Sequence, residues 1–363
     1  HALSLPPRLW GRSVVWIARE DHGRWRLVSG PKVEWVDDAA IPPVPATVDG
    51  AVTGDWSAPG AFEAFRDAYR EDVRIVAGER EALFPVSGRR VTFARKNCAL
   101  VDHDLEDAAD YLAERYAALG ISTFRQRFTW RGLPQSNLVA VLPATLPGGS
   151  GRPLLLADHY DTAFAEDVYA ATGKRVAVPG ADDNGSATAA LLRAASLLRD
   201  VPRREPIWLT HLTGEEYPAD DLGARELVSW LKRTHWSVRG FWVMDMIGWR
   251  AEGDRLVQIS AGDGAEAMAF AAGVRDAFTR VAPGLLPVIR QSNDERAYLY
   301  NTDGLVFSEA GWPALLVNEH LNALENLERP DYHHTTDLSG IMDMDFAARV
   351  ALAVIDAAAA VSR

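Results

Sequence analysis

Five short apolar runs, at 137–142, 153–157, 206–212, 241–244 and 314–317, alternate with longer segments of helical periodicity. This alternation constrains the fold more than any other feature. The runs are short for helices and apolar at successive positions, the appearance of strands buried on both faces. The helical pattern covers 105–119, 183–199, 221–234, 265–281 and 341–362; in the second of these Ala187, Leu191, Ala194 and Leu198 share one face. Strands alternating with helices predict an α/β domain built on a largely parallel sheet. Ligands of such sheets bind beyond the carboxyl ends of the strands. The polar clusters fall there: His159-Tyr160-Asp161 after one run, Glu215-Glu216 after another, and Asp245 at the end of a third.

This pattern occupies residues 104–363. Residues 1–103 read as an N-terminal accessory or cap region, with short strands at 14–17 and 24–28 around the Asp21-His22-Gly23 turn. A third strand at 33–36, a proline-rich stretch at 41–45 and a helix over 61–70 complete it. The longest apolar stretch, at the C-terminus, is interrupted by Asp343, Asp345, Arg349 and Asp356, so no membrane span is expected. The formal charge of −12 argues against a nucleic-acid partner and is compatible with a cationic ligand such as a peptide's α-amine. Cys98 is the single cysteine, so any bound metal must be held by His, Asp or Glu. The chain begins at His1; a processed N-terminus would favour a secreted or periplasmic setting over the cytoplasm. Nothing in the pattern addresses oligomeric state.

Each cluster has a plain reading and a chemical one. In an extended segment side chains at i and i+2 share a face, so Asp161 could accept a bond from the second ring nitrogen of His159 and orient it for a metal; equally, the two form a surface pair. Asp182 and Asp183 open a helix, where one acid serves as a cap but two repel unless a cation is near. Glu215 and Glu216 close a buried run, where two carboxylates are costly without positive compensation. Asp245, between Met244 and Met246, needs either a salt bridge or a metal. His333 and His334 lie in a loop that ends at Asp337, which is expected to cap the last helix.

Taken together, His159-Tyr160-Asp161, the segment Gly180–Ser186, Gly214-Glu215-Glu216, Met244-Asp245-Met246 and Tyr332-His333 with Asp337 resemble the M28 family of zinc metallopeptidases. The resemblance implies a mixed, mostly parallel central sheet flanked by helices, of the zinc-dependent exopeptidase (phosphorylase/hydrolase-like) type. It implies two Zn2+ per chain and removal of residues from the free N-termini of peptides. Carried over to this sequence, Asp182 is the bridging carboxylate, His159 and Asp245 complete one zinc site, and Glu216 and His333 complete the other. Glu215 is the general base. Asp161 supports the first histidine, Asp183 stands in the supporting shell, and a cis peptide is implied at Asp182–Asp183. His334 is the alternative to His333, and Tyr298 or Tyr300 is a candidate for stabilising the oxyanion. One departure is Thr302-Asp303-Gly304, where the family often has Ser-Asp-His. A single-zinc glutaminyl cyclase of the same fold and a non-catalytic binding module on this scaffold are the rival readings. No Gly-x-Ser-x-Gly or His-Glu-x-x-His motif supports other hydrolase classes.

Overall fold

The computed structural model describes residues 18–21, 24–27, 51–321, 324, 329 and 331–363. The expected strands at 14–17 and 33–36 and the proline-rich stretch lie outside these residues. β1 (Ala18–Asp21) and β2 (Arg24–Leu27) form an antiparallel hairpin. Then follow α1 (Ala61–Val76), the short pair β3 (Ala82–Leu83) and β4 (Arg90–Val91), α2 (Leu105–Ala118), β5 (Ser122–Trp130), β6 (Leu133–Leu142) and β7 (Leu154–His159). The chain continues through α3 (Glu166–Thr172), α4 (Ser186–Leu198), β8 (Ile207–Leu212), α5 (Leu222–Arg233), β9 (Gly240–Met244) and β10 (Leu256–Ala261). It ends with α6 (Ala265–Val281), β11 (Leu286–Arg290), α7 (Gly304–Glu309), β12 (Ala314–Glu319) and α8 (Met344–Ser362).

Eight strands form one sheet in the order β11-β10-β12-β9-β7-β8-β6-β5. The centre, β12-β9-β7-β8, is parallel, and antiparallel pairings join β6 to β8 and β10 to β12. The sheet is therefore mixed and mostly parallel, as expected. All five anticipated runs are strands. β5, β10 and β11 were not anticipated: in the edge strand β5 polar residues hide the apolar signal, and the other edge strand, β11, is short and contains Pro287.

Alternation along the strands divides the core. Leu154 and Leu156 of β7 join Ile207 and Leu209 of β8 under α1, α2, α4, α6 and α8. Leu155 and Ala157 join Val139, Leu212 and Val243 under α5 and α7. Successive side chains point to opposite faces, so a one-residue step changes the layer a group enters.

The expected boundary at residue 103 does not mark an edge of the core. Phe62, Phe65, Tyr69, Val73 and Val76 of α1, with Phe84, Phe93 and Cys98, belong to the same buried cluster as α4 and α8. The Tyr69 hydroxyl also donates to Ser186 O at 2.9 Å, at the start of α4. Residues 51–103 are thus part of the main body. Nor does Asp337 cap α8: Asp343 does, accepting from the amides of Asp345 and Phe346. No helix among the described residues is long and apolar enough to cross a membrane.

Candidate metal centre

The parallel centre places three functional segments on one sheet edge. His159 ends β7, Glu215 and Glu216 lie just beyond β8, and Asp245 follows β9. All four residues are buried. The turn at 181–185, between β7 and β8 in the chain, brings Asp183 into the middle. Gly180 allows this turn, with φ 66°; a Cβ there would approach Asp183 O and Thr162 Cγ2, both to 2.4 Å. Asn184 fastens it to β9, donating from Nδ2 to Met244 O at 3.0 Å and accepting from the Met246 amide at 3.2 Å.

Asp183 faces both histidines. His159 Nε2 lies 3.4 Å from Asp183 Oδ1 and 3.5 Å from Asp245 Oδ1. His333 Nε2 lies 3.3 Å from Asp183 Oδ2 and 3.4 Å from Glu216 Oε1. Two ligand groups result, His159-Asp183-Asp245 and Asp183-Glu216-His333, with Asp183 common to both. These separations are long for N–H···O bonds, which usually run about 2.7–3.2 Å. They match the edge of a tetrahedron around an ion with bonds near 2.1 Å, roughly 3.3–3.5 Å. The donor set, two imidazoles and three carboxylates without sulfur, is also one that zinc takes. The residues present fit a pair of such ions.

The shared position belongs to Asp183 rather than Asp182. Asp182 points the other way: Oδ1 accepts from the Gly248 amide at 2.8 Å and Oδ2 from Arg329 Nη2 at 2.6 Å. Adjacent residues in a turn project to different sides, and here a buried guanidinium and an amide claim the first acid. The cis peptide likewise lies at Asp183–Asn184, one residue later than expected. Asp337 serves this turn, accepting from the amides of Asp182 and Asp183 at 2.9 and 3.1 Å. Burial, reinforced by Asp182, pushes its carboxyl up to about 8.

Asp161 lies beside His159 Nδ1 and has a second contact as well. Its backbone oxygen, at 3.2 Å, is the nearer partner of His159 Nδ1, with the carboxylate at 3.7 Å. A carbonyl only accepts, so Nδ1 is a donor, which leaves Nε2 as the nitrogen a metal would take in place of its proton. The Asp161 carboxylate also receives the amides of Glu215 and Glu216 at 3.2 and 3.3 Å, holding both acids at the end of β8.

His333 is the histidine that faces the centre. It has a left-handed φ of 56°, and the Tyr332 ring stacks on its imidazole at 3.8 Å. His334 Nδ1 turns back to Tyr332 O at 2.6 Å. Burial lowers the affinity of His159 and His333 for protons, but the surrounding carboxylates outweigh it. Asp161, Asp183 and Asp245 hold His159 well above its usual pKa, and Glu216, Asp183 and Glu166 do the same for His333. Burial raises Glu216, whereas Asp183, also opposed by burial, is drawn down by its two histidines. The cluster demands positive charge.

Tyr298 and Tyr300 pack on the α5/α7 side; the Tyr298 amide donates to Ser260 Oγ at 3.1 Å, and burial raises the Tyr300 phenol. Three contributors were not singled out from the sequence. Asp303, at the start of α7, is fully buried with neither carboxylate oxygen hydrogen-bonded, and burial with neighbouring Asp221 raises its pKa far above the carboxylate range. Lys96 is buried and held down to about 8 by desolvation, against the pull of Asp161 and Asp337. Arg329 pairs with Asp182. The burial cost that marked Glu215 and Asp245 could have marked Asp303, but its run is too weakly apolar to look like core; Lys96 and Arg329 carry no local signal.

A family model for peptidase family M28 matches residues 137–358, more than half of the chain. The Escherichia coli protein YfbL is 27% identical over 232 residues, which cover 60% of this chain and 65% of that protein. The match thus spans just under two thirds of that curated relative's length. Among solved structures, the LapA aminopeptidase of Legionella pneumophila shares the fold at a TM-score of 0.60 and 16% identity, covering 84% of this chain and 76% of that one. A leucine aminopeptidase precursor from Bacteroides thetaiotaomicron aligns at 0.60 and 17%, covering 80% and 95%. A glutaminyl cyclase from Fimbriiglobus ruber aligns at 0.59 and 16%, covering 81% and 95%. The family match spans every residue of both ligand groups, and on that match the chain belongs to peptidase family M28.

Proposed function

We propose that this peptidase is an aminopeptidase that uses two zinc ions, held by His159, Asp183 and Asp245 and by Asp183, Glu216 and His333. One observation carries the reading: each carboxylate oxygen of Asp183 faces a different histidine, at 3.4 and 3.3 Å. That arrangement suits a bridging ligand and favours two ions over the single zinc of a cyclase. Zinc ions at these positions supply Lewis acidity to a scissile carbonyl and lower the pKa of water towards neutrality.

The chain's own groups do the rest. Glu215, next to the ligand Glu216 and buried, takes the proton of the attacking water and delivers a proton to the leaving amine. Its backbone is held by Asp161 at one side and accepts the Asp221 amide at 3.1 Å on the other, so the carboxylate is carried on a rigid turn. The carboxylate-rich surroundings of the centre favour a substrate end bearing a free α-amine. Peptides with free N-termini are the proposed substrates.

The test is Glu215→Gln. Hydrolysis of aminoacyl-arylamides is expected to fall by about a thousandfold, within the range for loss of a general base, while metal analysis still finds about two zinc ions per chain. Full activity removes Glu215 from the mechanism. One zinc per chain, with cyclisation of an N-terminal glutamine peptide, replaces the proposal with the cyclase reading.

A further inference from the structure

Arg329 lies four residues before His333, and its guanidinium is 3% exposed by side chain. It spans two buried acids: Nη2 is 2.6 Å from Asp182 Oδ2, and Nη1 is 2.7 Å from Glu319 Oε1. Its plane lies over the Trp249 ring, 4.9 Å from the centroid. Both acids are fixed from behind, Asp182 by the Gly248 amide and Glu319 by the Trp249 amide at 2.6 Å. Gly248 permits this approach, since a Cβ there would come within 2.8 Å of Asp182 Oδ1 and 2.2 Å of Met342 Cε. The Arg329 carbonyl accepts the Tyr332 amide at 3.4 Å, closing the turn that presents His333.

One cation therefore joins three segments: the end of β12 through Glu319, the turn that carries Asp183 through Asp182, and the turn that carries His333. The His159-Asp183-Asp245 group is anchored separately, by the strand ends and by Asn184. From this asymmetry we infer that Arg329 is a positioning residue for one of the two metal sites, setting His333 against Asp183 and Glu216 without touching the ion. A planar fork suits the task, because lysine cannot reach two carboxylates in fixed geometry. The inference rests on the two-ion reading of the centre.

The experiment measures zinc binding to the metal-stripped full chain by calorimetry and metal analysis, comparing wild type with Arg329→Lys, Arg329→Met and the charge-relieved Asp182→Asn/Glu319→Gln/Arg329→Met. In each variant the second zinc should bind about ten- to a hundredfold more weakly, the usual effect of losing support around a ligand, while the first keeps its wild-type affinity. With His333→Ala already present, Arg329→Lys should add nothing further. Two zinc ions bound with wild-type affinity, or equal weakening of both, overturns the inference. So does loss of the helical circular-dichroism signal in all three Arg329 variants while His333→Ala stays folded, since the arginine would then serve the fold as a whole. If wild type itself takes up only one zinc, the two-ion reading fails, and it fails before any variant is compared.

Discussion

Asp158 and His159 are consecutive on β7 yet enter opposite layers, and the two buried histidines near them differ in an instructive way. On the α2/α4 side, Asp158 pairs across the sheet with His211 of β8, Nδ1 to Oδ1 at 2.8 Å. His211 Nε2 meets the Tyr116 hydroxyl at 2.6 Å, and Thr188 donates to the other Asp158 oxygen at 2.5 Å. The Tyr116 contact has hydrogen-bond geometry, whereas the Nδ1–Oδ1 contact with Asp158 is close without it. On the α5/α7 side, His159 Nε2 faces two carboxylates at 3.4 and 3.5 Å. The residue types are the same and burial is nearly the same. Less than an ångström of extra separation distinguishes a close core contact from a site shaped for an ion.

The largest test of that distinction is at the two neighbouring acids. Asp183→Ala is expected to lose both zinc ions and about three orders of magnitude in kcat/KM, equivalent to several kcal/mol of transition-state stabilisation. Asp182→Asn, which keeps the shape of the acid, should retain both ions and lose about ten- to a hundredfold. Zinc content and steady-state rates measured in parallel decide it, and the reverse order would return the bridging role to Asp182.

The histidine pair gives the next effect. His211→Leu leaves Asp158 and the Tyr116 hydroxyl buried without their partner, and should cost about 3 kcal/mol of stability with zinc content unchanged. His159→Leu should do the opposite, losing zinc with a smaller change in the urea midpoint of the metal-free protein. Equal destabilisation by both would erase the contrast.

The smallest effect is a dependence on pH. The carboxylates raise the pKa of His159 and His333 well above the ordinary value. Folded-state values above the unfolded ones contribute stability that is complete below about pH 6.5 and is lost as pH rises through the raised values. The metal-free protein should therefore melt at lower temperature as pH increases from 6 to 9. Zinc competes with the same protons, so the loaded protein should not share this decline, and zinc binding should release protons near neutrality. Melting curves with and without a chelator check both statements.

Much of this architecture is written locally. The five apolar runs and the helices between them follow from periodicity, and strand direction then carries His159, Glu215, Glu216 and Asp245 to one edge. Of the edge strands, β5 escaped because polar residues interrupt its apolar ones, and β11 because it is short and contains Pro287. Asp337 was misassigned because a cap is read from the next helix along the chain, whereas its real donors, the amides of Asp182 and Asp183, are distant in sequence.

The order of His, Asp and Glu along the chain already points to the chemistry proposed for the centre, since burying so many acids at strand ends requires positive charge whatever the details. Which acid and which histidine face the centre is visible only in the fold. Asp182 or Asp183, and His333 or His334, differ by a single step along the backbone, and a single step reverses the direction of a side chain. The orientation of the two acids rests on Arg329 and Gly248, brought to the turn from elsewhere in the chain, and on the bond from Asn184 to distant Met244. Local spacing carries no record of such contacts, because they exist only after the sheet has gathered its loops at one edge.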